Sequence, residues 1–412
     1  MVRRLAYTFC AVVLGAMTTA ARAEDPFGVN AQTTSGTPQS VTATGSSLPD
    51  LVSNLIKNQG QFSSLANQNI SAGLRYGNLN NAILVTRNAA GTSATVSIPS
   101  INFSKVFTAG NQHDLNKQIE DFARKNGANT YGRFIRSINQ TSDLGIVDGN
   151  PLAATALMAG QAYRQFGLLP EPFVPGERWP DALDQVATPR LAFDLGGGST
   201  HSATGNGYFG SGAFSFGFRF GDRVGLTLTT PFMYREIQGA NAFEVGEQVS
   251  LPIMILAPQG DGTLSWLVTP TATGGVAGSL DLASGGTFLG GGVTSSLSYQ
   301  FKGFIFTLAD HFSYFHGIPV SAGRYKLDTD LEQEVFKNGV KVTRYFGNSL
   351  FVDGGVTFTN FLQKADVKEY WTPTAGVGIR FDEHAGLRVG YSGDFGHGFT
   401  VNGGSLQFYF NY

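Results

Sequence analysis

The sequence predicts a membrane-spanning, antiparallel all-β barrel of about 12 strands over residues 190–412, preceded by an α-rich N-terminal segment with a small β-hairpin. Three observations carry this. From residue 190 onward, large apolar residues alternate with small or polar ones in runs of ten or more, long enough for a tilted strand to cross a bilayer. Large aromatics sit at the ends of these runs, where interfacial girdles form. The connections alternate between tight turns and longer polar links, as they do in barrels with one short-turn side and one loop side. A soluble sandwich with one dry face also alternates, but it requires neither the strand length nor the two-sided connections.

In chain order, residues 1–23 read as a signal peptide. Arg3 and Arg4 precede the apolar stretch Leu5–Ala16, and Ala21-Arg22-Ala23 supplies a small-x-small cleavage site before Glu24. Cys10 is the only cysteine and lies inside that stretch, so the expected mature chain has none. Residues 24–48 are rich in Ser, Thr, Gly and Gln and read as a flexible linker.

Residues 49–169 read as the α-rich domain. Leu51, Val52, Leu55 and Ile56 recur at helical spacing, and so do Leu115, Ile119 and Phe122, then Tyr131, Phe134, Ile135 and Ile138. Ile83–Thr86 and Ala94–Ile98 flank the turn-rich Asn88–Gly91 as a hairpin. Asn150-Pro151 reads as an N-cap with Pro at the first helical position; an Ala- and Gly-rich helix follows and stops at Gly167. The prolines of residues 170–189 mark a stiff connection to the barrel.

In the barrel region, Phe214, Phe216, Phe218 and Phe220 alternate with Ser215, Gly217 and Arg219. The same rhythm holds around 289–302, 371–381 and 405–412. Tight turns are expected at Gly221-Asp222, Gly260-Asp261-Gly262, Lys302-Gly303, Gly347-Asn348 and Asp382-Glu383-His384. Longer links are expected near 197–207, 236–246, 277–286, 317–339, 363–369 and 395–401. Within 324–346, Asn338-Gly339 reads as either a hairpin turn or a bulge. The inward positions inferred for Gly290, Gly292, Ser296, Thr374, Gly376 and Gly378 are small, which predicts a roomy lumen filled by water or by the slim helix 151–167. The helix is expected beside the barrel mouth, with the N-terminal domain on the periplasmic side.

Only 14% of residues are charged, against about 25% in an average soluble domain. Removing residues 1–23, which hold three Arg and no acid, leaves 25 basic against 30 acidic residues, which argues against nucleic-acid binding. With one cysteine, disulfide scaffolds and Cys-based metal sites are excluded. The barrel region carries 14 basic and 18 acidic residues, which predicts a weakly charged lumen.

None of the six histidines forms a zinc-binding pair, and strand neighbours Asp310 and His311 should face opposite sides. Asp328, Asp330 and Glu332 read as a solvated acidic face rather than a Ca²⁺ site. No catalytic, cofactor-binding or metal residues are assigned, and no enzyme activity is expected.

The segment Gly404–Tyr412 resembles the C-terminal recognition strand of Gram-negative outer-membrane barrels, with Leu406, Phe408, Phe410 and Tyr412 at alternate positions. Together with Gly390-Tyr391-Ser392-Gly393-Asp394, it is also similar to the end of autotransporter translocator domains. The resemblance implies residence in the cell outer membrane, contact with its lipid, and insertion by the barrel-assembly machinery. It leaves two functional expectations. One is a channel-like or translocator-like barrel whose N-terminal domain gates or occludes the pore, with a small solute or an exported segment as its cargo. The other is an autotransporter-like display of the N-terminal region, or a non-conducting structural or adhesive surface protein.

Overall fold

A computed structural model describes residues 25–168 except 126, and 190–411 except 204, 221–222, 238, 258–261, 263, 323–324, 328–330, 348 and 382–384. Ala21, Ala23, the connection 170–189 and Tyr412 therefore lie outside the described residues, as do Asp328, Asp330 and parts of four tight turns.

The N-terminal domain is built on a sheet. Strands β1 (Phe27–Thr33), β2 (Ser40–Gly45), β3 (Ile70–Tyr76), β4 (Leu79–Arg87), β5 (Ser93–Ile98) and β6 (Phe103–Thr108) form six antiparallel strands in the order β2-β1-β3-β4-β5-β6. The expected hairpin is present as β4–β5, but it is one part of this sheet. The expected flexible linker at 24–48 holds β1, β2 and their turn instead. Phe27, Ala31, Val41 and Ala43 are buried at alternate positions, so one face is dry and the Ser/Thr/Gln-rich face is wet.

Helix α1 (Leu48–Lys57) falls where periodicity put it and is followed by a short α2 (Gln59–Ser63) that periodicity did not indicate; α3 (Gln112–Lys125) and α4 (Gly127–Thr141) also match their apolar stripes. Ser47 caps α1 by accepting from the Asp50 amide at 3.1 Å. The next helix, α5 (Ala154–Tyr163), begins later than expected, with Ala153 at its N-cap. Asn150 ties down the preceding turn instead: its amide donates to the Gly145 carbonyl at 2.6 Å, and its Oδ1 accepts from the Leu152 amide at 3.0 Å. A π-helical turn, Arg164–Leu168, ends the segment.

The barrel strands are β7 (Arg190–Ser202), β8 (Asn206–Phe220), β9 (Val224–Ile237), β10 (Ala240–Ser250), β11 (Ile253–Leu256), β12 (Leu264–Ser279), β13 (Ser284–Phe301), β14 (Phe304–Ile318), β17 (Glu332–Phe346), β18 (Leu350–Phe361), β19 (Glu369–Arg380), β20 (Ala385–Gly396) and β21 (Phe399–Asn411). The short β15 (Val320–Ala322) and β16 (Tyr325–Leu327) pair only with each other, in the β14–β17 loop. β10 and β11 form one span, both lying between β9 and β12 and interrupted at Leu251-Pro252. Proline has no amide to give to a ladder, and the strand is interrupted there. Twelve antiparallel spans result, and β21 pairs with β7 from Phe399↔Ser202 to Asn411↔Arg190 to close the barrel.

Strand boundaries fall on both sides of all five expected tight turns. In the turn Lys302-Gly303 both residues have positive φ, 49° and 77°, as a type I′ hairpin turn requires. On the other side the strands run further than expected, and some loops are as short as 238–239 and 397–398; only 319–331 and 362–368 are long. Asn338-Gly339 is neither turn nor bulge but mid-strand in β17, paired with β14 and β18. Large apolar residues point outward along each span, such as Phe306, Leu308, Phe312 and Tyr314 on β14, and all four are exposed. An apolar belt of this size around a closed barrel marks a membrane-spanning surface.

Candidate functional site: a helix in the barrel lumen

Helix α5 is built almost wholly from small and apolar residues, ATALMAGQAY, with no polar stripe. A helix apolar on all sides must be buried on all sides. Eight of its ten residues are buried, and it packs against β9, β10, β12, β13, β14 and β17. It therefore lies inside the barrel, not beside its mouth.

The lumen wall holds the plug by its backbone and by a few polar contacts. Gln248 Nε2 donates to the Met158 carbonyl at 2.6 Å, Ser296 Oγ to the Gly167 carbonyl at 3.0 Å, and Thr229 Oγ1 to Gln165 Oε1 at 3.0 Å. Tyr163 Oη reaches the Ala309 carbonyl, and Arg164 lies 3.6 Å from Asp194. Between the helix and the wall remains a cavity of about 10 Å³ bordered by Met158, Gln248, His311 and Ser313, room for about one water molecule.

The six small residues read as inward all face the lumen side, yet the space they leave is taken. A side chain at Gly290 would meet the Phe315 ring; at Gly378, the Phe351 ring; at Gly376, the Arg388 guanidinium. Sequence shows that these positions are small; the cross-strand register decides which large neighbour fills each one.

The plug enters the barrel at the loop end, where residues 142–156 are almost fully enclosed. Arg235 of β9 donates through Nη2 to the Gly145 carbonyl at 2.6 Å and lies near Asn150 Oδ1, while its Nε sits 3.4 Å from Glu244 of β10. Val367, in the β18–β19 loop, donates its amide to the Gly149 carbonyl at 3.1 Å. No side chain fits at Gly149, which lies against the Asn139 carbonyl with φ of +91°. Burial pushes the Asp148 carboxyl up to about 7; the Asn139 side chain and Arg136 pull it down less strongly. Asp366, in the loop beside this turn, is raised to about 6 by burial and then by the charge of Asp143.

The six-stranded domain sits over this end. Tyr76 Oη donates to the Leu282 carbonyl at 2.8 Å, the Leu48 amide donates to the Asp281 carbonyl at 2.9 Å, and Arg136 pairs with Glu332 at 4.0 Å. One hydrophobic cluster joins Phe27 and Tyr76 of the domain, Met158 of the plug, and Phe288, Phe315 and Phe361 of the barrel. The domain lies opposite the end where β7 starts and β21 finishes, which corrects the expectation that it shares their side.

The lumen wall is also more charged than the composition suggested, because the charges are concentrated inward and compensate one another. Arg388 donates to both Asp353 oxygens at 2.6 and 2.7 Å, and through Nη1 to Gln407 at 3.3 Å. Lys337 donates to Thr359 and Tyr370, and Asp394 accepts from Thr372.

Asp310 and His311 face opposite sides as strand geometry requires. His311 is buried against Thr294, 2.8 Å from its Nδ1, whereas Asp310 accepts from Asn338 on the outer face at 3.3 Å. Among the described residues, no group of three or more His, Cys, Asp or Glu is placed to hold a metal. Leu406, Phe408 and Phe410 share the outward face of β21, with the last two rings 4.9 Å apart. Arg235, Glu244 and Asp148 were not singled out by sequence reasoning. The alternation at Arg235-x-Ile237 and Ala242-x-Glu244 was the available signal, since it places two opposite charges on the lumen side of one hairpin.

No family model and no curated protein sequence matches the chain. Among solved structures it is similar to the translocator domain of the autotransporter NalP from Neisseria meningitidis, with 14% identity, 63% of this chain and 97% of that one covered, and a TM-score of 0.41. It is also similar to an outer-membrane channel from Pseudomonas putida, with 9% identity, 57% and 99% coverage, and a TM-score of 0.42. The transport unit of the autotransporter AIDA-I from Escherichia coli has 9% identity, 62% and 99% coverage, and a TM-score of 0.35. The barrel itself is established by its own strand register and apolar belt: the chain is an integral outer-membrane-type β-barrel protein.

Proposed function

We propose that this protein is a translocator-like barrel that holds its own N-terminal domain on the outer face of the cell, with α5 as the segment left in the pore. The observation that carries this reading is the path of the chain. It runs from the six-stranded domain at the loop end, through the lumen as α5 and the π-helical turn, and resumes as β7 at the opposite end. A leader cleaved after Ala23 supplies export. The barrel-assembly machinery reads Leu406, Phe408, Phe410 and Tyr412, and the chain ends of the barrel face the periplasm.

The mature chain lacks cysteine, so single cysteines report sidedness on a clean background. A cysteine replacing exposed Thr108 in the domain should react with an impermeant maleimide on intact cells, and one replacing Lys302 in a tight turn should react only after the outer membrane is opened. The opposite pattern would reject this orientation. A second reading, a small-solute channel closed by a plug, is favoured by the polar lumen wall of Thr229, Gln248, Thr271, Ser296 and His311. It requires that the helix leave the lumen under working conditions.

A further inference from the structure

Helix α1 presents an apolar ridge that the fold does not cover. Leu51 is buried and Leu55 packs against the core, but Val52 and Ile56, one turn apart on the neighbouring ridge, are 53% and 67% exposed. The ridge starts at Leu48, whose amide is bonded to the Asp281 carbonyl in the β12–β13 loop. Asp281 in turn accepts from the amide and the side chain of Asn241 at 2.8 Å each, which pins the start of α1 to the barrel rim above β10 and β12.

The same rim carries the upper edge of the lipid-facing belt. Phe243 is 63% exposed and packs on Tyr234, which packs on Tyr208, as part of the aromatic girdle. Phe243 is in register with Gly278, and Leu280 follows two residues later, just past the end of β12. Leu280, the first residue of the turn after β12, is 90% exposed, one residue from the contact that holds α1. Exposed valine and isoleucine on a helix whose start is bonded to this rim, with an exposed leucine beside that bond and a lipid-contacting surface below it, are accounted for by more lipid.

We infer that α1 lies on the membrane surface at the loop-side rim, with the Val52–Ile56 ridge and Leu280 immersed in the headgroup region. A helix apolar on one face and polar on the other binds a bilayer with its apolar face sunk about 5–10 Å into the headgroup boundary. Lys57, next to Ile56 in the last turn, is placed to meet lipid phosphates. The inference concerns the loop side of the barrel whichever side of the membrane that is, so it stands apart from the proposed orientation.

The test uses the full mature chain in phosphatidylcholine/phosphatidylglycerol vesicles, with an environment-sensitive fluorophore on I56C or V52C, and T108C as the water-facing reference. Expected is a blue-shifted emission for I56C and V52C, quenched at least twofold by shallow nitroxide lipids and little by a water-soluble nickel chelate. T108C should show the reverse. If I56C and V52C both respond as T108C does, the helix faces water and the inference is overturned. Heat-modifiable migration of each variant confirms that the barrel has folded, and either ridge position suffices for the reading.

Discussion

Overfilling the plug while leaving the barrel untouched should open the pore. Ala159 and Ala162 are buried on α5 within the lumen, and the cavity beside them is about 10 Å³. Around Met158 the wall is closer still: a Cβ at Gly246 would lie 2.6 Å from the Met158 sulfur. Ala159→Leu with Ala162→Leu adds three carbons at each position and has no space for them. Overpacking of this kind costs about 1–3 kcal/mol per site. Because the two sites are one turn apart, the sum of about 2–6 kcal/mol is subject to coupling between them. At about 1.4 kcal/mol per factor of ten, the plug-out population should rise roughly thirtyfold to twenty-thousandfold. Planar-bilayer recording would read this as a higher open probability, and Ala375→Leu, the same change on the lipid face of β19, is the control. If the double variant folds and its open probability equals that of the parent, the helix does not close the pore and the reasoning fails.

Three further outcomes are expected. Asp148 ionises near 3.8 when unfolded and near 7 in the folded protein. Its contribution is therefore complete below pH 3.8 and lost as pH rises through 7, about 4 kcal/mol across the window at 1.36 kcal/mol per unit; Asp148→Asn should flatten most of this slope in denaturant unfolding of the N-terminal domain, leaving the smaller part due to Asp366. Asp353→Ala strands the Arg388 guanidinium in the lumen wall and should cost about 3–5 kcal/mol, read as a lower temperature for loss of heat-modifiable migration; the double variant with Arg388→Met should recover much of it. Phe410→Asp places a charge on the outward face near the membrane edge, at a thermodynamic cost of at most about 1 kcal/mol, and removes an aromatic of the recognition strand, so it should reduce the amount of folded barrel in outer membranes; unchanged amounts would deny this residue a role in insertion.

Which parts of this architecture were legible in the sequence follows from how each is encoded. Barrel strands write their two faces into the chain at period two, so Leu289, Val293 and Leu297 announce lipid while Gly290 and Ser296 announce lumen. The strands β1 and β2 encode the same alternation more faintly, because their wet face is Ser, Thr, Asn and Gln, the composition of a linker. Only Phe27, Ala31, Val41 and Ala43 betray the dry face. The place of α5 was readable from its uniform apolarity, a property a helix resting at a polar barrel mouth would not have. Of the lock around Arg235 only the pairing with Glu244 had a local signal, in the alternation of one hairpin; the approach of Gly145 and Asn150, some 90 residues away in sequence, is specified by no local pattern.

The shared core of domain, plug and barrel has a mechanical consequence. Six strands side by side span roughly 25 Å, whereas the lumen is filled by one helix about 10–12 Å across. The folded domain is thus a knot on a cord drawn through a ring: traction on the chain from the tight-turn end tightens Phe27, Tyr76 and Met158 against the rim instead of withdrawing α5. Only loss of the β1–β6 sheet, or opening of the β7–β21 seam, would let the chain withdraw toward that end; exit of α5 toward the loop end, together with the domain, stays open. The order of assembly is constrained in the same way: the sheet closes after its strands have passed the lumen, or the seam closes around a helix already in position.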